Sequence, residues 1–170
     1  MKINVYPLDR IEVDGVSISF GMEQVAVEKA LGKGEVFGKR NYYFDGEMAI
    51  DYDSNSRVDF IEFLGGFPGS LRPCIYSVSA FDTLADELVQ LLSKMNNGEA
   101  DDIDNGYTLT FQNISIGLYR EARPQDVLEM IEEMKADGIP TDGNEDVAEE
   151  EQKANHWATL DVGSADYYRR

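Results

Sequence analysis

The sequence predicts an α+β fold, an antiparallel sheet with helices packed on one face. Three observations predict it. Short stretches alternate apolar and polar residues at the period of a half-buried strand, as in Val16-Ser17-Ile18-Ser19-Phe20. Other stretches place apolar residues at helical spacing, as in Leu84, Leu88, Leu91, Leu92 and Met95. The order strand, helix, strands occurs twice, which accommodates two tandem strand–helix–meander repeats, residues 1–66 and 67–170, within one compact unit.

Taken in order, Val16 to Phe20 is the first expected strand, and Gly21 breaks its alternation. Met22, Ala26, Val27, Ala30 and Leu31 then share one helical face, so a short helix is expected over 22–31, ended by Gly32 and Gly34. Val36 to Phe44 reads as an aromatic strand and Asp45-Gly46 as a hairpin turn. Glu47 to Tyr52 alternates again, Asp53-Ser54-Asn55-Ser56 supplies a second turn, and Val58 to Phe63 closes a three-stranded meander. The loop Gly65-Gly66-Phe67-Pro68-Gly69 divides the two halves.

The second half restarts with a strand at 75–79 and a helix capped by Asp82 or Thr83 and stopped at Asn96-Asn97-Gly98. The acidic loop from Glu99 to Asp104 leads to strands at 107–111 and 114–119. Pro124 suits the first position of a further helix, with Val127, Ile131 and Met134 on one face and Gly138 and Pro140 at its end. Residues 141–152 hold six acids and no base, the composition of a loop or a solvated helix. His156 to Gly163 reads as the last strand, followed by Tyr167-Tyr168.

The chain has 170 residues and a formal net charge of −18, unevenly placed. Residues 1–75 carry 12 acids and 8 bases, whereas residues 76–170 carry 21 acids and 7 bases. Such a surface repels nucleic-acid phosphates and anionic membranes and attracts a basic protein. No stretch is as long and apolar as a membrane helix, and the N-terminal residues lack the apolar segment of a signal peptide, so a cytoplasmic location is expected. Cys74 is the sole cysteine, which removes any internal disulfide or cysteine-based metal site.

No catalytic or cofactor motif is present. The nearest approach to a metal motif is Asp51 to Glu62, where Asp51, Asp53, Asn55 and Glu62 fall at calcium-loop positions. Ser56 replaces the required glycine, and strand-like alternation replaces the flanking helices, so a hairpin is the simpler expectation. His156 beside Trp157 marks the one place where an enzyme site would centre, though no nucleophile or carboxylate is tied to it by a known spacing. Gly32-Lys33-Gly34 follows a helix and reads as its end. The nine tyrosines suit either cross-strand packing or an interface. Tyr42, Tyr43, Tyr107 and Tyr119, with Asp101, Asp102 and Asp104, are the candidates for contact with a basic partner.

Gly21-Met22-Glu23-Gln24-Val25 through Lys29-Ala30-Leu31-Gly32-Lys33, followed by aromatic strands and an Asp-x-Asn turn, resembles one repeat of the β-lactamase-inhibitor-protein-like group. The lipoprotein subunit of the outer-membrane barrel-assembly machine shares that layout. The resemblance covers residues 15–64 and implies a helix against an antiparallel sheet, binding to another protein, and no catalysis. The tail from His156 to Gly163 with Tyr167-Tyr168 looks like the endings of small bacterial proteins of the toxin-immunity type. The leading expectation is therefore a non-catalytic inhibitor-type module, of immunity-protein character, that occludes a basic toxin. The alternatives are an enzyme with a site near His156 and a calcium-binding protein using Asp51 to Glu62.

Overall fold

The computed structural model describes residues 1–170. It is an α+β protein built on two sheets. The smaller sheet contains β1 (Lys2–Tyr6), β2 (Arg10–Val13), β3 (Val16–Ser19), β8 (Arg72–Ile75) and β9 (Val78–Ser79), in the order β3-β2-β1-β8-β9. The larger contains β4 (Glu35–Phe37), β5 (Arg40–Tyr43), β6 (Met48–Tyr52), β7 (Val58–Phe63), β10 (Asp101–Asp102), β11 (Thr108–Phe111), β12 (Ile116–Tyr119) and β13 (Thr159–Gly163). Its order is β10-β11-β12-β13-β7-β6-β5-β4, antiparallel throughout.

Two four-stranded meanders thus meet at β7 and β13. Each follows a helix, α1 (Gln24–Leu31) or α2 (Ala85–Asn96), so the order strand, helix, meander does recur. Two pairings cross the 66/67 boundary: β1 runs parallel to β8, and β7 pairs with β13. Neither half has a sheet of its own. A helical pair, α3 (Pro124–Ala136) and α4 (Glu145–Asn155), is inserted between β12 and β13.

One core of 26 buried residues joins the inner face of the large sheet to the small sheet, α1 and α2. The strand period sets that face: Ile50, Ile61, Val162, Ile116 and Phe111 follow one another across the sheet. Trp157 is fully enclosed, and its indole Nε1 donates to the Ala85 carbonyl at 3.2 Å, which locks the approach to β13 onto the start of α2.

Several expected elements differ in detail. Residues 2–13 form two strands that alternation announces through Ile3, Val5, Ile11 and Val13, all buried. The aromatic run 36–44 is a hairpin, because the chain turns at Gly38 and Lys39. The strand expected at 75–79 is split by Tyr76 and Ser77, both with positive φ, into β8 and β9. Helix α2 buries Ala85, Leu88, Leu92 and Asn96, a face rotated from the expected one, leaving Leu84 and Met95 exposed. Neither Asp82 nor Thr83 caps it: Thr83 bonds the Ser79 carbonyl, and Asp82 pairs with Arg72. The acidic stretch becomes α4, whose N-cap Asn144 accepts from the Asp146 and Val147 amides. No helix is long and apolar enough to cross a membrane.

Candidate functional site

The inner face of the large sheet is apolar, whereas the outer face is not. Because side chains alternate along each strand, one row reads Glu35, Tyr42, Ala49, Glu62, Asp161, Gly117, Thr110 and Asp101 across all eight strands. The neighbouring row holds Phe37, Arg40, Asp51, Phe60 and Gly163. Tyr119 and Thr159 stand opposite each other on the same face. Its charged strand positions are therefore Glu35, Asp51, Glu62, Asp101 and Asp161 against the single cation Arg40.

At the centre, Glu62 and Asp161 lie directly opposite each other across the β7–β13 seam. Like charges in that register repel, so the arrangement needs compensation. Arg40 supplies part of it. Its guanidinium pairs with Asp51 (Nε to Oδ1, 2.8 Å) and with Glu62, whose side chain is only 15% exposed. Desolvation opposes the Arg40 charge, but the two carboxylates outweigh it and raise its pKa. Asp161 has no cation of its own. Burial, and then the negative charge of Glu62, push its pKa up to about 7, although Thr159 Oγ1 hydrogen-bonds its carboxylate at 3.3 Å.

The segment after β13 folds back over this face. Its single 3-10 turn, Tyr167–Arg169, stacks Tyr167 on Phe60 with ring centroids 4.7 Å apart. Two glycines open the seat. A Cβ on Gly117 would collide with the Tyr168 hydroxyl, and one on Gly163 would lie 2.6 Å from Tyr167 Cβ. The Tyr168 hydroxyl is buried there beside the Asp161 carboxyl. Burial, and then Asp161, raise its pKa.

The candidates read from sequence divide among three environments. Tyr42, Tyr119 and Asp101 share the outer face, with Tyr42 and Tyr119 four strand spacings apart, about 19 Å. Tyr43 is 6% exposed and belongs to the core, so it leaves the contact set. Its side chain alternates to the face opposite Tyr42. Tyr107 is engaged: its hydroxyl donates to Asp126 at 2.8 Å, and Arg123 lies 4.5 Å over its ring. Asp102 and Asp104 are exposed but order their own loop, accepting from the Gly106 and Thr108 amides.

The oxygens of the calcium-loop pattern are likewise dispersed. Asp51 and Glu62 turn to Arg40, and Asp53 accepts from the Asn55 and Arg57 amides within a β6–β7 hairpin. No group of three or more His, Cys, Asp or Glu side chains could hold a metal ion. His156 lies on the rim of a cavity of about 330 Å³ between the Gly65–Pro68 loop and α4, its ring 4.7 Å from Phe67. Its Nδ1 faces the Gln152 carbonyl at 3.0 Å, which selects the Nδ1–H tautomer. Glu121, Glu149 and Lys153 also line the cavity, but no hydroxyl or thiol does. The geometry offers a base with no hydroxyl or thiol nucleophile beside it.

The residues that sequence reasoning missed are Asp161, Arg40 and Phe60. Only Asp161 carried a signal: Leu160-Asp161-Val162, like Ile61-Glu62-Phe63, places one acid between two apolar strand residues. No family model, curated protein or solved structure matches this chain.

Proposed function

We propose that this chain is a non-catalytic protein-binding module that occludes a basic partner, of the kind an immunity protein forms with its toxin, and that the outer face of the large sheet makes the contact. One observation carries this. The face carries exposed Glu35 and Asp101 toward its two ends, with Asp51, Glu62 and Asp161 around the single Arg40, together with Phe37, Tyr42 and Tyr119 on an eight-stranded platform. Aromatic anchors ringed by charge of one sign suit an electropositive partner, with the acids steering encounter and the rings supplying buried contact. The inhibitor-like repeat read from residues 15–64 points the same way.

The test is affinity capture from the native lysate with the wild-type chain and with charge-reversed Asp101→Lys and Glu35→Lys. Capture should weaken with rising salt and fall at least tenfold in the double variant, whereas Glu28→Lys on α1 should leave it intact. Capture that ignores both salt and the outer-face charges would refute the proposal. The second reading, an enzyme centred on His156, has the adjoining cavity in its favour. It predicts a hydrolytic activity that His156→Ala removes.

A further inference from the structure

We propose that residues 164–170 are a displaceable placeholder on the outer face, and that the partner element this face recognises shares their chemistry, adjacent aromatic side chains followed by arginines. This rests on the binding role proposed above and specifies its ligand.

The seat is shaped for a side chain that comes from elsewhere. Gly117 and Gly163 remove two Cβ atoms from the middle of a continuous sheet, where glycine otherwise weakens a strand. Tyr168 fills the first gap and Tyr167 the second, with Phe60 forming the floor. Arg170 then meets acid on the sheet, whereas the acid beside Arg169 belongs to the segment itself. Arg170 makes a two-pronged pair with Asp59, Nη1 to Oδ2 at 2.7 Å and Nη2 to Oδ1 at 3.1 Å. Arg169 reaches Asp166 and Asn113. An aromatic-then-basic peptide is thus already bound to an acidic, glycine-notched surface.

Beyond Ser164 the backbone of the segment makes no hydrogen bond to the sheet. Ser164 is fixed by its amide on the Asp59 carbonyl, by its hydroxyl on the Asp59 carboxylate and by Ser115 Oγ donating to its carbonyl at 2.8 Å, but the amides of Tyr167 and Arg169 bond only within the segment. Side chains alone hold the rest, and Arg169 and Arg170 are exposed. A ligand that satisfied the seat better could replace the segment without breaking the sheet.

The experiment uses a fluorescein-labelled synthetic peptide, Ser-Ala-Asp-Tyr-Tyr-Arg-Arg, and fluorescence anisotropy. The wild-type chain should bind it weakly, because its own segment competes. The full chain carrying Tyr167→Ala and Tyr168→Ala should bind it at least tenfold more tightly. Adding Gly117→Val, which fills the notch, should abolish that gain. A peptide with alanine at both tyrosines should not bind. Should the double tyrosine variant lose its fold by circular dichroism, Arg169→Ala with Arg170→Ala gives the same comparison through exposed side chains. Equal affinity in closed and opened chains overturns the proposal. So does concentration-dependent dimerisation of the wild type that requires intact Tyr167 and Tyr168, which would assign the seat to a second copy. Peptide binding without partner capture would instead refute the binding role and leave the placeholder standing.

Discussion

Replacing Asp161 with asparagine isolates the electrostatic cost of the seam. The Asp161 carboxyl has an ordinary pKa of 3.8 and is pushed up to about 7, first by burial and then by Glu62. The folded chain therefore keeps a proton between those values that the unfolded chain has released. Stability falls as pH rises through this window, and the penalty is constant above it. The rise from 3.8 to about 7 corresponds to about 4 kcal/mol as a ceiling, and about 2 kcal/mol once residual hydration is allowed for. The asparagine side chain carries no charge at any pH. Urea unfolding followed by Trp157 fluorescence from pH 4 to 8 should show the variant level with wild type at pH 4 and more stable by about 2 kcal/mol at pH 8. Acids whose pKa is lowered, such as Asp126, contribute with the opposite sign but cancel in the difference. Glu62→Gln should move the midpoint of the difference curve to lower pH. A difference that is flat with pH, or that grows toward acid, refutes the assignment.

Arg40→Ala leaves Asp51 and Glu62 without their cation, and should cost about 2–3 kcal/mol in urea unfolding; lysine, lacking the two-pronged geometry, should recover only part of it. Trp157→Ala removes the largest enclosed side chain and its bond to Ala85, and should cost about 3–5 kcal/mol; phenylalanine should limit the loss to about half of that. Glu47 fixes the loop before β8 by accepting from the Ser70 and Leu71 amides at 2.7–2.9 Å. Burial opposes its ionisation, but those amide bonds outweigh it and hold its pKa below 4.5. Glu47→Gln should therefore cost about 1–2 kcal/mol at pH 7, a loss that shrinks as acid protonates the wild-type carboxylate.

The elements were legible where local chemistry decides them. Pro124 begins α3, Asp53 forms its turn, and Asn96-Asn97-Gly98 ends α2, each through bonds within a few residues. Boundaries failed where tertiary packing decided. The aromatic run 36–44 has the composition of one strand, and the turn at Gly38 and Lys39 splits it into β4 and β5. The α2 face rotated because Asn96 is buried to bond the Asn113 amide across 17 residues, a demand that a leucine count does not register. The site was less legible still. Tyr42, Tyr119 and Asp101 were found as residue types, but Glu62 and Asp161 become neighbours only when strands about a hundred residues apart pair. Nothing local encodes that register.

The position of β13 also governs how the chain can reach this fold. It lies between β12 and β7, so the strand that completes the large sheet is the last of that sheet's eight strands in chain order. As the chain leaves the ribosome, β4 to β7 and β10 to β12 can each form early through short hairpins, but they remain two separate ribbons. Until residues 159–163 emerge, β7 and β12 each present an open edge able to pair with another chain. Closure then requires β13 to insert between them after a loop containing α3 and α4. Folding should accordingly be slow and aggregation-exposed before that step, and arrest of synthesis ahead of residue 159 should leave the meanders undocked.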